Sequence, residues 1–73
     1  MIGKKIQKLR ENAGLTRTAL ARQLTELSGK VHSNTQIQNW EEGINLPSIS
    51  KLQLLAKYFN VQLDYFIEEV NHE

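Results

Sequence analysis

Neutral hydrogen-bonding side chains are concentrated between positions 33 and 43, and this is where the chain is best equipped for recognition chemistry. The side chains are Asn34, Thr35, Gln38 and Asn39. An ordinary solvated helix face carries Glu and Lys instead. Asn and Gln pair bidentately with adenine in the major groove of DNA. This composition therefore suits the reading of base edges, and an exposed polar helix without a partner remains the alternative interpretation.

A helix is predicted to present these side chains. Ser33 followed three residues later by Gln36 indicates a capping box, in which each side chain bonds an amide of the first turn. Ile37 and Trp40 lie three apart and predict one buried seam, so Trp40 is interpreted as core rather than as a stacking platform for a ligand. A glycine follows the stretch at the position typical of a helix end. The spacing predicts a helix over 34–42.

Charge is divided unevenly along the chain although the net charge is only +1. Residues 1–40 carry seven Lys and Arg against two Glu, a net charge of +5. Residues 41–73 carry two Lys against six Asp and Glu, a net charge of −4. Such asymmetry favours a basic face directed toward a polyanion. A solvated charge distribution with no partner is the other possibility.

Composition excludes several classes of protein. With 73 residues the chain is expected to form one domain over 1–73. There is no cysteine for a disulfide or a thiolate metal site, and no apolar run of roughly 20 residues for a membrane span. Glu41 and Glu42 are adjacent on a helix and point apart, and neither histidine has an evident nucleophile beside it. We therefore expect no enzyme, metal, cofactor, membrane association or small-molecule ligand.

Apolar residues at three- and four-residue steps predict four further helices. Thr16 and Ser48 are expected to cap the second and the fourth, while Gly14, Gly29 and Asn60 are expected to end the first, second and fourth. The predicted buried stripes are Ile2, Ile6, Leu9 and Ala13; Leu20, Ala21, Leu24 and Leu27; Ile49, Leu52, Leu55, Ala56 and Phe59; and Leu63, Phe66, Ile67 and Val70.

Together these residues resemble the phage repressor and Cro-like helix-turn-helix family, the Xre type. The resemblance covers nearly all of residues 2–69, and it is carried by the order and spacing of the motifs rather than by any one of them. The motifs are Ile6-x-x-Leu9-Arg10, Gly14-Leu15-Thr16, Leu20-Ala21, Ile37-x-x-Trp40-Glu41-x-Gly43, Pro47-Ser48, Leu55-Ala56 and Val61-x-Leu63-Asp64. The resemblance implies an all-α, compact five-helix domain whose third helix enters the major groove.

One segment departs from the usual pattern of that family. The second and third helices are commonly joined by a tight turn, whereas here the distance from Ala21 to Trp40 is about six residues longer. Residues 27–37 look like the corresponding stretch of POU-specific domains, which share the fold and have a longer connection. The resemblance therefore still implies docking on DNA, with the approach angle of the third helix left open.

Site residues follow from the resemblance, position by position. The implied base contacts are Asn34, Thr35, Gln38 and Asn39. The implied backbone contacts are Arg17, Thr16, Ser33, Gln36, Asn45 and Lys30. Arg17 stands at the start of the second helix, where the positive helix end also favours a phosphate. Arg10 and Glu41 match positions that form a structural ion pair beneath the recognition helix, and two unrelated surface charges are the alternative.

The resemblance implies a sequence-specific transcriptional regulator, a repressor, that binds double-stranded DNA. It also implies a homodimer on a two-fold operator, with the fifth helix and exposed neighbours such as Tyr65 supplying the contact. A cytoplasmic location in a bacterium, or a phage gene, is expected on the same ground. A protein-interaction module with the same fold, such as an antitoxin or an anti-regulator, is the alternative.

Overall fold

The computed structural model describes residues 2–67, which form five helices and no strand. The helices are α1 (Ile2–Asn12), α2 (Arg17–Ser28), α3 (Asn34–Glu41), α4 (Ile49–Phe59) and α5 (Asp64–Ile67). The all-α, five-helix prediction is confirmed. Within residues 2–67 no helix is both long and apolar enough to cross a membrane.

Hydroxyl side chains begin three of the helices. Thr16, Ser33 and Ser48 each accept a hydrogen bond from the backbone amide three residues later, at 3.0, 3.2 and 3.3 Å. These bonds satisfy amides that the first turn of a helix leaves without a partner. The reciprocal half of the predicted capping box is wrong, because Gln36 Oε1 is buried without a hydrogen-bond partner among the described residues. Of the two predicted capping contacts, the one made by Ser33 forms.

Left-handed residues end α2 and α4 as the sequence predicted. Gly29 has φ +76° and Asn60 has φ +58°, and the amide of each bonds back into the last helical turn. The third helix ends at Glu41, one residue before the predicted boundary. Two amides of the following loop, at positions 44 and 45, both donate to the carbonyl of Asn39 and close that turn early.

A single buried cluster contains residues of all five helices. Helices α1 and α2 both pack against α3, while α2 also packs against α4 and α1 against α5. The buried apolar residues are Ile6, Leu20, Ala21, Leu24, Ile37, Trp40, Leu52, Leu55, Ala56 and Phe66. Trp40 is thus part of the core, as predicted. Helix α3 is held from one side, and its opposite face is left outside the core.

The prediction that the apolar stripes are buried is wrong near the helix ends. Leu27 is 41 % exposed near the end of α2, and Ile49 is 57 % exposed at the first position of α4. Ala13 is also exposed, because it follows the end of α1. A stripe read from spacing continues to the last residue of a helix, whereas the core covers only the middle turns. Val70, predicted for the fifth helix, lies outside the described residues.

Tyr65 is half-buried, so the prediction that it is an exposed neighbour of α5 is wrong. Lys5 Nζ donates to the carbonyl oxygen of Tyr65 at 2.7 Å and lies 5.2 Å from the centre of its ring. The ring of Phe66 meets that of Tyr65 edge to face, with centroids 5.4 Å apart. These contacts place Tyr65 against α1. The large exposed apolar side chains lie elsewhere, chiefly at Val31, Ile44 and Leu46.

Gly3 allows α1 to approach the end of α3, and we expect Gly3→Ala to be destabilising. An added Cβ would overlap the carbonyl oxygen of Trp40 and lie 2.7 Å from that of Glu41. Backbone atoms cannot rotate away, so α1 must shift, at a cost of about 1–3 kcal/mol. Chemical denaturation measures the loss. Lys8→Ala, on an exposed position of the same helix, is the control. Equal stability of the two variants would contradict the close approach.

Candidate nucleic-acid interface

The N-terminal ends of α2 and α3 lie on either side of a shallow groove of about 380 Å³, here called the α2–α3 groove. Its walls come from the start of α2 with the residue before it, from the outer face of α3, and from one residue of α1. They are lined by Arg10, Thr16, Arg17, Thr18, Asn34 and Gln38. Five of these residues are predicted site residues, and Thr18 is the addition. Two guanidinium groups among neutral hydroxyls and amides make the groove suited to an anionic, hydrogen-bonding partner.

The predicted base readers occupy one face of α3 with different exposure. Asn34 and Thr35 are exposed at its first two positions, and Gln38 and Asn39 are half-buried. The side-chain amide of Gln38 donates to Glu42 Oε2 at 3.1 Å, so part of its hydrogen-bonding capacity is already used. Asn34 and Gln38 reach the α2–α3 groove, whereas Thr35 and Asn39 do not line it.

The predicted backbone contacts are spread more widely than the base readers. Thr16 and Ser33 use their hydroxyl oxygens as helix caps and remain exposed. Lys30 and Asn45 are exposed, at the connection before α3 and in the loop after it. Lys30 lines a second depression, of about 240 Å³, with Ser28, Ser50, Lys51 and Leu54. Lys51 is a basic neighbour that the sequence did not indicate, because it is 21 residues away along the chain.

The structure brings Arg10 and Glu41 together beneath the groove. Arg10 Nε lies 2.6 Å from Glu41 Oε2, Arg10 Nη2 lies 3.1 Å from Glu41 Oε1, and both side chains are buried. Arg10 Nη1 also donates to the carbonyl oxygen of Leu15 at 2.9 Å. The hydrogen bond to Glu41 raises the pKa of Arg10 above its ordinary value. This pair joins α1 to the last residue of α3.

Arg17 is not a free surface cation. Its Nε donates to Glu41 Oε1 at 3.0 Å, and its side chain is 31 % exposed. Sequence reasoning placed Arg17 at the start of the second helix but did not find this contact. The contact joins residues 24 positions apart on different helices, and its existence depends on how α2 crosses α3.

The connection between α2 and α3, residues 29–33, is held by side chains rather than by a tight turn. Thr25 Oγ1 accepts from the amide of His32 at 2.9 Å and donates to the carbonyl oxygen of Ala21 at 2.8 Å. Ser28 Oγ accepts from the amide of Lys30 at 3.0 Å. The side chain of His32 is buried. The ring Nε2 lies 3.2 Å from Lys51 Nζ and so ties the connection to α4.

His32 makes the stability of the fold depend on pH. Burial and the nearby ammonium of Lys51 lower its pKa below the ordinary 6.5. The unfolded chain therefore binds the proton more readily than the folded protein does, and stability falls as the pH drops below about 6.5. The bond with Lys51 requires the neutral ring, because only an unprotonated nitrogen can accept from an ammonium.

We expect the advantage of the native protein over His32→Gln to shrink as the pH falls below about 6.5. Glutamine keeps a polar group at the site but does not titrate. Chemical denaturation of both proteins at a series of pH values measures the difference, and the second histidine, His72, is common to both. Parallel stability profiles from pH 7.5 to 5 would contradict the buried neutral ring.

Comparison with known proteins gives one family and two curated relatives. A family model described as "Helix-turn-helix" matches residues 6–66. An uncharacterized HTH-type transcriptional regulator of Rickettsia conorii is 40 % identical over 67 residues, which cover 92 % of this chain and 49 % of the relative. One of Rickettsia prowazekii is 39 % identical, covering 92 % and 47 %. The chain spans about half the length of these relatives. No solved structure matches it at a significant level.

Proposed function

The chain belongs to the helix-turn-helix family that matches its residues 6–66, and we propose that it is a sequence-specific DNA-binding transcriptional regulator, a repressor, that inserts α3 into the major groove. The family membership confirms the resemblance on which this expectation rested. Both relatives carry the name of transcriptional regulators, which supports the regulatory role. The relatives are about twice as long, so the proposal concerns the part of a regulator that these residues represent.

The observation that carries the proposal is the composition of the α2–α3 groove. Its α3 side presents Asn34 and Gln38, both without charge, and the exposed Thr35 follows Asn34 outside the groove. Amides and hydroxyls of this kind discriminate bases by the pattern of donors and acceptors in the major groove. Its α2 side presents Arg17 at a helix N-terminus, a position that favours a phosphate and carries no sequence information. The side chains proposed to read bases and the side chain proposed to bind a phosphate thus lie on adjacent helices.

A homodimer on a two-fold operator completes the proposal. Since Tyr65 is packed against Lys5, α5 offers less apolar surface to a partner than the sequence suggested. The loop after α3 offers more, with Leu46 73 % exposed and Ile44 beside it. An exposed apolar loop is also what a protein-interaction module would use. This loop therefore keeps the antitoxin or anti-regulator function as the second candidate.

The affinity for duplex DNA should depend steeply on salt concentration if the α2–α3 groove is the surface that contacts the phosphates. We expect the logarithm of affinity to fall with the logarithm of salt concentration by about 0.9 per phosphate contacted. A dimer should prefer half-sites about 34 Å apart, one helical turn. Fluorescence anisotropy with duplexes of equal length and different half-site spacing measures both effects. Binding that ignores salt, or is equal on all duplexes under competition, would contradict the regulator and favour the protein-interaction module.

A further inference from the structure

One carboxylate beneath the α2–α3 groove serves two guanidinium groups. Glu41 Oε2 accepts from Arg10 Nε at 2.6 Å. Glu41 Oε1 accepts both from Arg10 Nη2 at 3.1 Å and from Arg17 Nε at 3.0 Å. The second oxygen therefore bridges a residue of α1 and a residue of α2, while Glu41 itself belongs to α3. Three helices meet at this carboxylate.

Exposure differs among the charges of this network. Two guanidinium groups share the carboxylate of Glu41, and the exposed carboxylate of Glu11 lies 3.7 Å from Arg10 Nη2. The side chain of Glu41 is 1 % exposed and that of Arg10 is buried beside it, whereas the side chain of Arg17 is about one-third exposed. Arg10 is held further by the carbonyl oxygen of Leu15 and stays with Glu41. Arg17 is consequently the guanidinium that presents positive charge on the wall of the groove.

The contact also orients the exposed guanidinium. Arg17 uses only Nε toward Glu41, and within residues 2–67 its two Nη groups have no hydrogen-bond partner. They remain available to the groove, which Arg17 lines together with Asn34. A guanidinium held in one orientation loses less freedom when it binds a phosphate in a bidentate manner than a mobile one does.

We infer that Glu41 is a positioning residue for phosphate binding, which holds Arg17 Nε inward and thereby aims the Nη groups at a DNA phosphate. Arg10 is the counter-charge that allows Glu41 to do so without neutralising Arg17. This inference rests on the proposed function, because it requires a duplex in the groove. It assigns roles in DNA binding to two side chains that are buried beneath the groove.

A thermodynamic cycle on Arg17→Lys tests the inference. Lysine keeps the charge and loses the Nε donor and the planar fork. We expect Arg17→Lys to weaken binding to a random-sequence duplex about tenfold, the equivalent of about 1.4 kcal/mol, with the salt slope unchanged. In the Arg10→Met/Glu41→Met background, Arg17 has no carboxylate to hold it. In that background Arg17→Lys should weaken binding to the random-sequence duplex by less than about twofold.

The outcomes separate the inference from the proposed function. An equal loss from Arg17→Lys in both backgrounds overturns the positioning role, even if Arg17→Ala still lowers the magnitude of the salt slope by about one. Failure of the wild-type protein to bind duplex overturns the proposed function, and the inference with it. Circular dichroism establishes that each variant folds before its affinity is compared.

Nuclear magnetic resonance of the wild-type protein gives a second test that does not depend on the double variant. The Nε proton of Arg17 should exchange with water more slowly than that of Arg22, which is exposed on the same helix. A carboxylate that accepts the proton accounts for the difference. Equal exchange at the two arginines would overturn the positioning role, whatever the binding experiments show.

Discussion

Arg10→Met should lower the free energy of unfolding by about 3–5 kcal/mol, because it leaves the carboxylate of Glu41 buried with only Arg17 to balance it. Both charges of the native pair are buried, and their shortest contact is 2.6 Å. A domain of this size has only about 3–5 kcal/mol of stability in total. Much of the variant should therefore be unfolded at room temperature. Chemical denaturation, followed by the fluorescence of the single Trp40, measures the change.

Two further variants test whether the buried charges cause this loss of stability. Glu41→Gln should also be strongly destabilising, since it removes the buried carboxylate that two guanidinium groups share. The double variant Arg10→Met/Glu41→Met removes both buried charges and should recover most of the stability, because an apolar pair of similar volume often replaces a buried ion pair at little cost. A loss below 1 kcal/mol for Arg10→Met would instead indicate an exposed pair, contrary to the geometry.

Asn34→Ala and Asn39→Ala should remove sequence preference without removing DNA binding. A bidentate contact to a base discriminates by about 1–3 kcal/mol, so each variant should bind the preferred duplex more weakly and random duplex almost unchanged. Arg17→Ala should weaken both duplexes by a similar factor, because a phosphate contact carries no sequence information. Anisotropy titrations at one salt concentration and one duplex length measure the affinity of each variant for both duplexes.

Gln53→Ala is the matched control for the amide substitutions. Gln53 is an exposed amide on α4, away from the groove, and its loss should leave both affinities unchanged. A uniform loss from Asn34→Ala, Asn39→Ala and Arg17→Ala, with no change of preference, would indicate misfolding or a general electrostatic effect. No effect from any of them would remove α3 as the reading helix and favour the protein-interaction module.

Local signals of the sequence were sufficient for most of the fold. The caps at Thr16 and Ser33 and the left-handed ends at Gly29 and Asn60 are contacts between residues within a few positions of each other. Their outcome depends little on the rest of the chain. The buried seam of α3 was also predicted correctly from spacing, because Trp40 lies one helical turn from Ile37.

Contacts between helices were harder to predict. The Arg10–Glu41 pair came only from the family resemblance, and neither Arg17–Glu41 nor His32–Lys51 was found. Each joins residues that are distant in sequence, and its formation depends on crossing angles that periodicity does not encode. The predicted exposure of Tyr65 failed for this reason too, because α1 supplies the lysine that covers it.

Selection of bound duplexes from a random pool tests the central claim most directly. Wild-type protein and Asn34→Ala should be compared at the same salt and concentration. We predict that the wild type enriches a sequence repeated with two-fold symmetry at a spacing of about one helical turn. We further predict that Asn34→Ala loses the preference at particular base pairs of each half. If the wild type enriched no sequence, or the variant enriched the same sequence equally, α3 would not be the helix that reads DNA.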